Sequence, residues 1–173
     1  LQDVLKSSIL QAIYREAQRS GQPIYCIVDD TIASHTRPSS QAVHPIEAAY
    51  FHQSHLKGCQ DYGHQVVSVM LSCNGITLNY AVILYDKSRS KIQIVQEIAE
   101  ELPAAPVISY FLCDSWYTTA KVMDRFIRKG FYTVGALKTN RILYPCGIRQ
   151  KASAFALHLR KTDPDVSLVT VGS

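Results

Sequence analysis

Two β-rich runs, HQVVSVMLSC at 64–73 and ITLNYAVILYD at 76–86, flank Asn74-Gly75, and nothing else in the 173-residue chain constrains its fold as strongly. Asn-Gly supplies the two positive-φ positions of a tight hairpin turn, so the runs are expected as adjacent antiparallel strands. A further strand is expected before them, at about Ile24 to Asp29. After them the pattern changes to helix and strand in alternation. SKIQIVQEIAEEL carries Ile92, Val95, Ile98, Ala99 and Leu102 on one helical face behind a Ser90 cap, and Pro103 and Pro106 close it. VISYFLC reads as a strand apolar enough to be covered on both faces, Ser115 to Lys129 as a helix with Val122, Met123, Phe126 and Ile127 inward, and FYTVGALK as a fifth strand.

A helix over residues 1–21 leads the chain, with Leu1, Val4, Leu5, Ile9, Ala12 and Ile13 on one face before Gly21 and Pro23 stop it. The tail ASAFALHLRKTDPDVSLVTVGS reads as a short helix and the beginning of a strand. The order β-β-β-α-β-α-β implies a mixed sheet, since hairpins make antiparallel neighbours and helical crossovers make parallel ones. Residues 32–61, polar and with Pro38 and Pro45, are left as a long loop.

With 47% apolar and 18% charged residues, 1–173 is expected to be one globular domain whose core spans 24–144. No apolar stretch is long enough to span a membrane, and a cytoplasmic, nucleoid-associated location is the expectation. A net charge of +4 suits a polyanion partner without requiring one. The five cysteines are scattered with no C-x-x-C pair; Cys26 and Cys113 read as small core residues. His52, His55, Cys59 and His64 match no closed zinc spacing and are read as polar residues of a surface loop.

The chemistry concentrates at two strand ends. IYCIVDDT ends an apolar run in Asp29 and Asp30, and ISYFLCDSW does the same with Asp114. Buried negative charge is expensive unless a cation answers it. An aspartyl phosphatase would need D-x-D to put two carboxylates on one face, whereas here the acids are adjacent. Trp116 and Tyr117 read as packing residues, and Glu97, Glu100 and Glu101 as a solvated helix face.

The element order resembles the ribonuclease H-like fold, an α/β five-stranded mixed sheet of order 3-2-1-4-5 with flanking helices. IVDDT, LCDSWYTTAKVMDRFIRKGF and ALKTNRILY, spread from Tyr25 to Tyr144, resemble the first two catalytic blocks of DDE transposases of bacterial insertion sequences. The resemblance implies an endonuclease and strand transferase acting on double-stranded DNA at transposon ends and target, with a homodimer as the full-length assembly. It implies Mg²⁺, or Mn²⁺ in its place, on Asp30 and Asp114, and puts Lys138, Asn140 and Arg141 at the DNA. Asp30, directly before Thr31, matches the family's first acid; Asp29 is expected to brace a neighbouring backbone or basic group, the pleat leaving the reverse assignment open. Ser115 is expected to cap the following helix, leaving Asp114 to the metal. The family's third acid follows in a downstream Tyr-Arg-Trp block ending in Glu; no such block occurs, so the chain is expected to stop short of it, and an inactive DNA-binding remnant is the alternative reading.

Overall fold

The structure, a computed structural model, describes residues 2–41, 46–54 and 57–159. It divides into two compact units, Leu1–Gly135 and Ala136–Ser173.

In the first unit α1 (Gln2–Ser20) precedes β1 (Ile24–Ser34), β2 (Tyr50–Ser54), β3 (Cys59–Cys73) and β4 (Ile76–Leu84). Then α2 (Lys91–Glu101), β5 (Ser109–Cys113), α3 (Ala120–Arg128) and β6 (Phe131–Gly135) alternate. The sheet runs β2-β3-β1-β5-β6 with β4 also on β3. Setting β2 aside, the order β4-β3-β1-β5-β6 is the 3-2-1-4-5 expected from the sequence. β1 pairs antiparallel with β3 and parallel with β5, which pairs parallel with β6.

The reading of residues 24–61 needs correction. β1 does not stop at its acids; it continues to Ser34 along β3, so Asp29 and Asp30 lie within the strand. The supposed loop also contains β2, which pairs with Cys59–Gly63 at the start of β3, on the edge that β4 lines from Val66 onwards.

Asn74 and Gly75 take φ of 47° and 80°, the two left-handed positions of a type I′ turn. Along β3 every second side chain from Gly63 to Cys73 is buried. β4 slips register after Val69↔Ala81, and this bulge lets the consecutive Tyr80 and Ala81 both face the core. Ser90 caps α2 with Gln93 in a reciprocal capping box, which fixes where that helix begins.

α1, α2 and α3 contribute Ile9, Ile13, Ala17, Ile94, Val95, Ile98, Ala99, Val122 and Phe126 to one core with Ile24, Cys26, Val28, Val67, Val69, Leu71 and Phe111 of the sheet. Phe111 and Phe126 stack with centroids 3.7 Å apart. Val4 and Leu5 of α1 and Ile127 of α3 are exposed rather than inward. Nor is β5 covered on both faces: Ser109 and Phe111 are buried, while Tyr110 and Leu112 are half-buried. Tyr110 stacks on Tyr25 there and lies tilted against Tyr132.

The second unit holds a small hairpin, β7 (Ile142–Leu143) with β8 (Gln150–Lys151), and α4 (Ala152–Ala156). α4 is the short helix expected of the tail. The strand expected after it, and His55, lie outside the described residues.

Candidate functional site

Alternation along β1 decides where its two acids go. Ile24, Cys26 and Val28 are buried, so Asp30 shares their face, towards the helices, and Asp29 takes the other. Asp29 is exposed and its Oδ1 accepts the Asp30 N–H at 2.8 Å, a local backbone brace of the kind expected of it. The parallel pairing of β1 with β5 ends at Val28↔Cys113, so both acids follow the last paired residue and Asp114 follows β5 itself.

The Asp30 carboxylate is ringed by donors. Its Oδ2 accepts Gln65 Nε2 at 2.6 Å and Lys91 Nζ at 2.9 Å, and its Oδ1 accepts the Tyr117 hydroxyl at 2.8 Å. Gln65 reaches it because odd positions of β3 face inward; Lys91 because it opens α2. The Asp30 and Lys91 side chains are each 14% exposed, so this ion pair is largely withdrawn from water.

Asp114 is held by its own turn. Oδ1 accepts the backbone N–H of Trp116 at 2.9 Å and of Tyr117 at 3.4 Å, and Thr118 Oγ1 donates to the Asp114 carbonyl at 2.9 Å. Asp114, not Ser115, therefore caps the turn, and α3 starts only at Ala120. The reason is reach: a strand-end carboxylate satisfies N–H groups two and three residues on in an Asx turn. Tyr117, fully buried, ties the two acids together, its N–H to Asp114 and its hydroxyl to Asp30. Burial first, and the adjacent Asp30 second, push the phenol far above its ordinary value, so it remains a donor.

His52 departs from its reading as a surface-loop residue. It sits on β2, 6% exposed, and its Nε2 is buried without a hydrogen-bond partner. Burial, then the Lys87 charge, lower its pKa, so the ring is held neutral. His64, on β3, is bonded to His35 at 2.7 Å, and Cys59 is exposed. Glu97 pairs with Arg89, Glu100 with Arg125 and Arg128, and Glu101 with Lys6. Lys138, Asn140 and Arg141 are exposed and belong to the second unit, at a turn where the Arg141 N–H bonds to the Lys138 carbonyl; β6 ends before them, at Gly135.

Tyr117 packs as expected, but sequence reasoning missed the bonds of Gln65, Lys91 and Tyr117 to Asp30 and the burial of His52. Two left signals. Gln65 is a polar residue at an inward position of an apolar strand, and Lys91 puts a cation in a first helical turn that has no acid, against the helix dipole.

Residues 20–163 match the family model described as Transposase DDE domain. The chain belongs to this family. No curated protein and no solved structure matches it. The mixed α/β sheet with its flanking helices is the ribonuclease H-like architecture of DDE transposases, and membership makes this a transposase domain, concerned with DNA transposition and recombination. No helix among the described residues is long and apolar enough to cross a membrane.

DDE transposases work with a divalent metal, and the donors here suit one in kind: two carboxylates, hard oxygen ligands, with an ammonium already answering the charge of Asp30. Among the described residues no third His, Cys, Asp or Glu joins them in a group able to hold an ion.

Proposed function

We propose that Asp30 and Asp114 are the first two carboxylates of a metal-dependent site that cuts DNA at insertion-sequence ends and joins it to a target. The observation that carries this reading is Tyr117, which hydrogen-bonds to both acids at once and so makes two separate strand ends one unit. Mg²⁺, or Mn²⁺ in its place, would be held by Asp30 and Asp114 and would stabilise charge on the oxygens of a phosphodiester under displacement. The protein's own groups prepare for that. Tyr117 and Gln65 fix the plane of the Asp30 carboxylate, as second-layer donors do around metal ligands. Asp114 holds its turn through Oδ1. Lys138, Asn140 and Arg141 meet DNA phosphates, for which an exposed cationic turn is suited.

The test, in a full-length protein that carries the third acid, is Mg²⁺-dependent nicking of a plasmid carrying the element's ends, with circular dichroism to check folding. Asp114→Asn keeps the one acceptor oxygen that orders its turn and Asp30→Asn keeps one of the two that Asp30 uses; both lose the charge, and each is expected to abolish nicking while DNA binding persists. Asp29→Asn is expected to nick, since Asp29 lies on the opposite face of β1 and its Oδ1 accepts the adjacent backbone N–H. Nicking that survives in Asp114→Asn overturns the assignment. Binding without cutting in the unaltered protein favours a DNA-binding role without catalysis.

A further inference from the structure

Lys91 stands where the charge of Asp30 has to be met, and its placement is otherwise unfavourable. It is the first residue of α2, whose positive dipole end repels a cation. The ammonium bonds to Asp30 Oδ2 at 2.9 Å and lies 4.9 Å from the centre of the Trp116 ring, so a carboxylate on one side and an aromatic face on the other hold it. The remaining donors on Asp30, the Gln65 amide and the Tyr117 hydroxyl, are neutral.

We propose that Lys91 is the resident cation of the Asp30 site, holding that carboxylate until a divalent ion displaces the ammonium from both Asp30 and Trp116. The inference rests on the reading of Asp30 as a metal ligand. A divalent ion needs an Asp30 oxygen now shared among protein donors, and of the three donors only Lys91 is repelled by a second positive charge beside it. Gln65 and Tyr117 can remain as the ligand's supports. The flexible stem of a lysine lets the ammonium leave without moving the helix. The charge of Asp30 is thus met before loading, and loading changes the surroundings of Trp116.

Trp116 is the chain's single tryptophan, which makes the displacement directly readable. MgCl₂ titrated into the whole protein is followed by tryptophan fluorescence and by calorimetry, in the unaltered chain and in Lys91→Met, Lys91→Arg and Asp30→Asn. The unaltered protein is expected to change its emission as Mg²⁺ binds. Lys91→Met is expected to bind Mg²⁺ about five to ten times more tightly, since a competing ion pair is removed, and without the emission change. Lys91→Arg, which keeps the charge and protects the test should Lys91→Met fold poorly, is expected to keep the weaker affinity. Mg²⁺ affinity in Lys91→Met equal to or below that of the unaltered protein, or in Lys91→Arg raised above it, if Asp30→Asn still abolishes binding, overturns the role of Lys91 and leaves Asp30 as the ligand. Mg²⁺ binding unchanged in Asp30→Asn overturns the metal reading itself.

Discussion

A carboxylate on the core side of a strand is tolerable only when its oxygens are answered, and Asp30 has three answers. Of these Tyr117 is the most buried and the one that reaches both acids. Tyr117→Phe keeps the ring and removes the hydroxyl, leaving Asp30 Oδ1 short of its donor. The expected cost is about 1.5–3 kcal/mol, the range for a hydrogen bond to a charged group, read as a lower urea midpoint at unchanged m-value. Nicking is expected to fall with it, because Asp30 loses the bond that sets its plane. His52 makes the matching case for pH. Its folded pKa lies below the ordinary 6.5, so the unfolded chain binds the proton first. Its contribution is therefore fully present above that value and is lost as pH falls through the depressed folded pKa. The urea midpoint is expected to drop on acidification from pH 7.5 to 5, and to drop less in His52→Gln; an equal drop in both removes His52 as the cause.

At the scale of elements, what the sequence made legible was whatever kept its apolar face in register. The Asn74-Gly75 hairpin, the capped α2 and the β5-α3-β6 crossover all did. β2 did not, because its inward positions are His52 and Ser54 while Phe51 is 43% exposed, so its alternation is inverted and reads as loop. β1 hid its second half for a related reason: two adjacent acids look like a strand end, yet the pairing with β3 runs on to Ser34↔Gly63. At that far end sits a position only glycine fills. A Cβ on Gly63 would lie 2.1 Å from the Ala33 carbonyl oxygen, a backbone atom that cannot move aside without breaking the ladder. Gly63→Ala is expected to destabilise by about 2–4 kcal/mol and to lower amide-exchange protection over 31–34 more than over 24–28. Uniform loss of protection would mean that β1 is a single cooperative strand with no weaker outer half.

For the whole molecule the informative quantity is where the charge lies. Residues 136–159 carry Lys138, Arg141, Arg149 and Lys151 with no Asp or Glu, and that excess equals the +4 of the entire chain, so the remainder is balanced. The rest of the chain, with Asp29, Asp30 and Asp114 in it, therefore brings no net attraction for a polyanion, and those acids oppose one locally. Binding to DNA must draw its long-range attraction from the basic stretch, through release of counterions as phosphates are neutralised. Lys138 and Arg141 are proposed as DNA contacts from ALKTNRILY, whereas Lys91, a cation in the first unit, was hidden because it serves a carboxylate. Two consequences separate these roles. Replacing Lys138 and Arg141 together by alanine is expected to flatten the slope of log affinity against log salt by about two, one phosphate each, equally for specific and unrelated duplexes. Lys91→Met without added Mg²⁺ is expected to leave that slope unchanged, since its charge is already spent on Asp30. Anisotropy of a labelled duplex between 50 and 200 mM salt, a range over which phosphate contacts register strongly, measures both. A slope that is unmoved in the double alanine protein would detach Lys138 and Arg141 from the DNA and leave Arg149 and Lys151 as the cations of the stretch to answer for it.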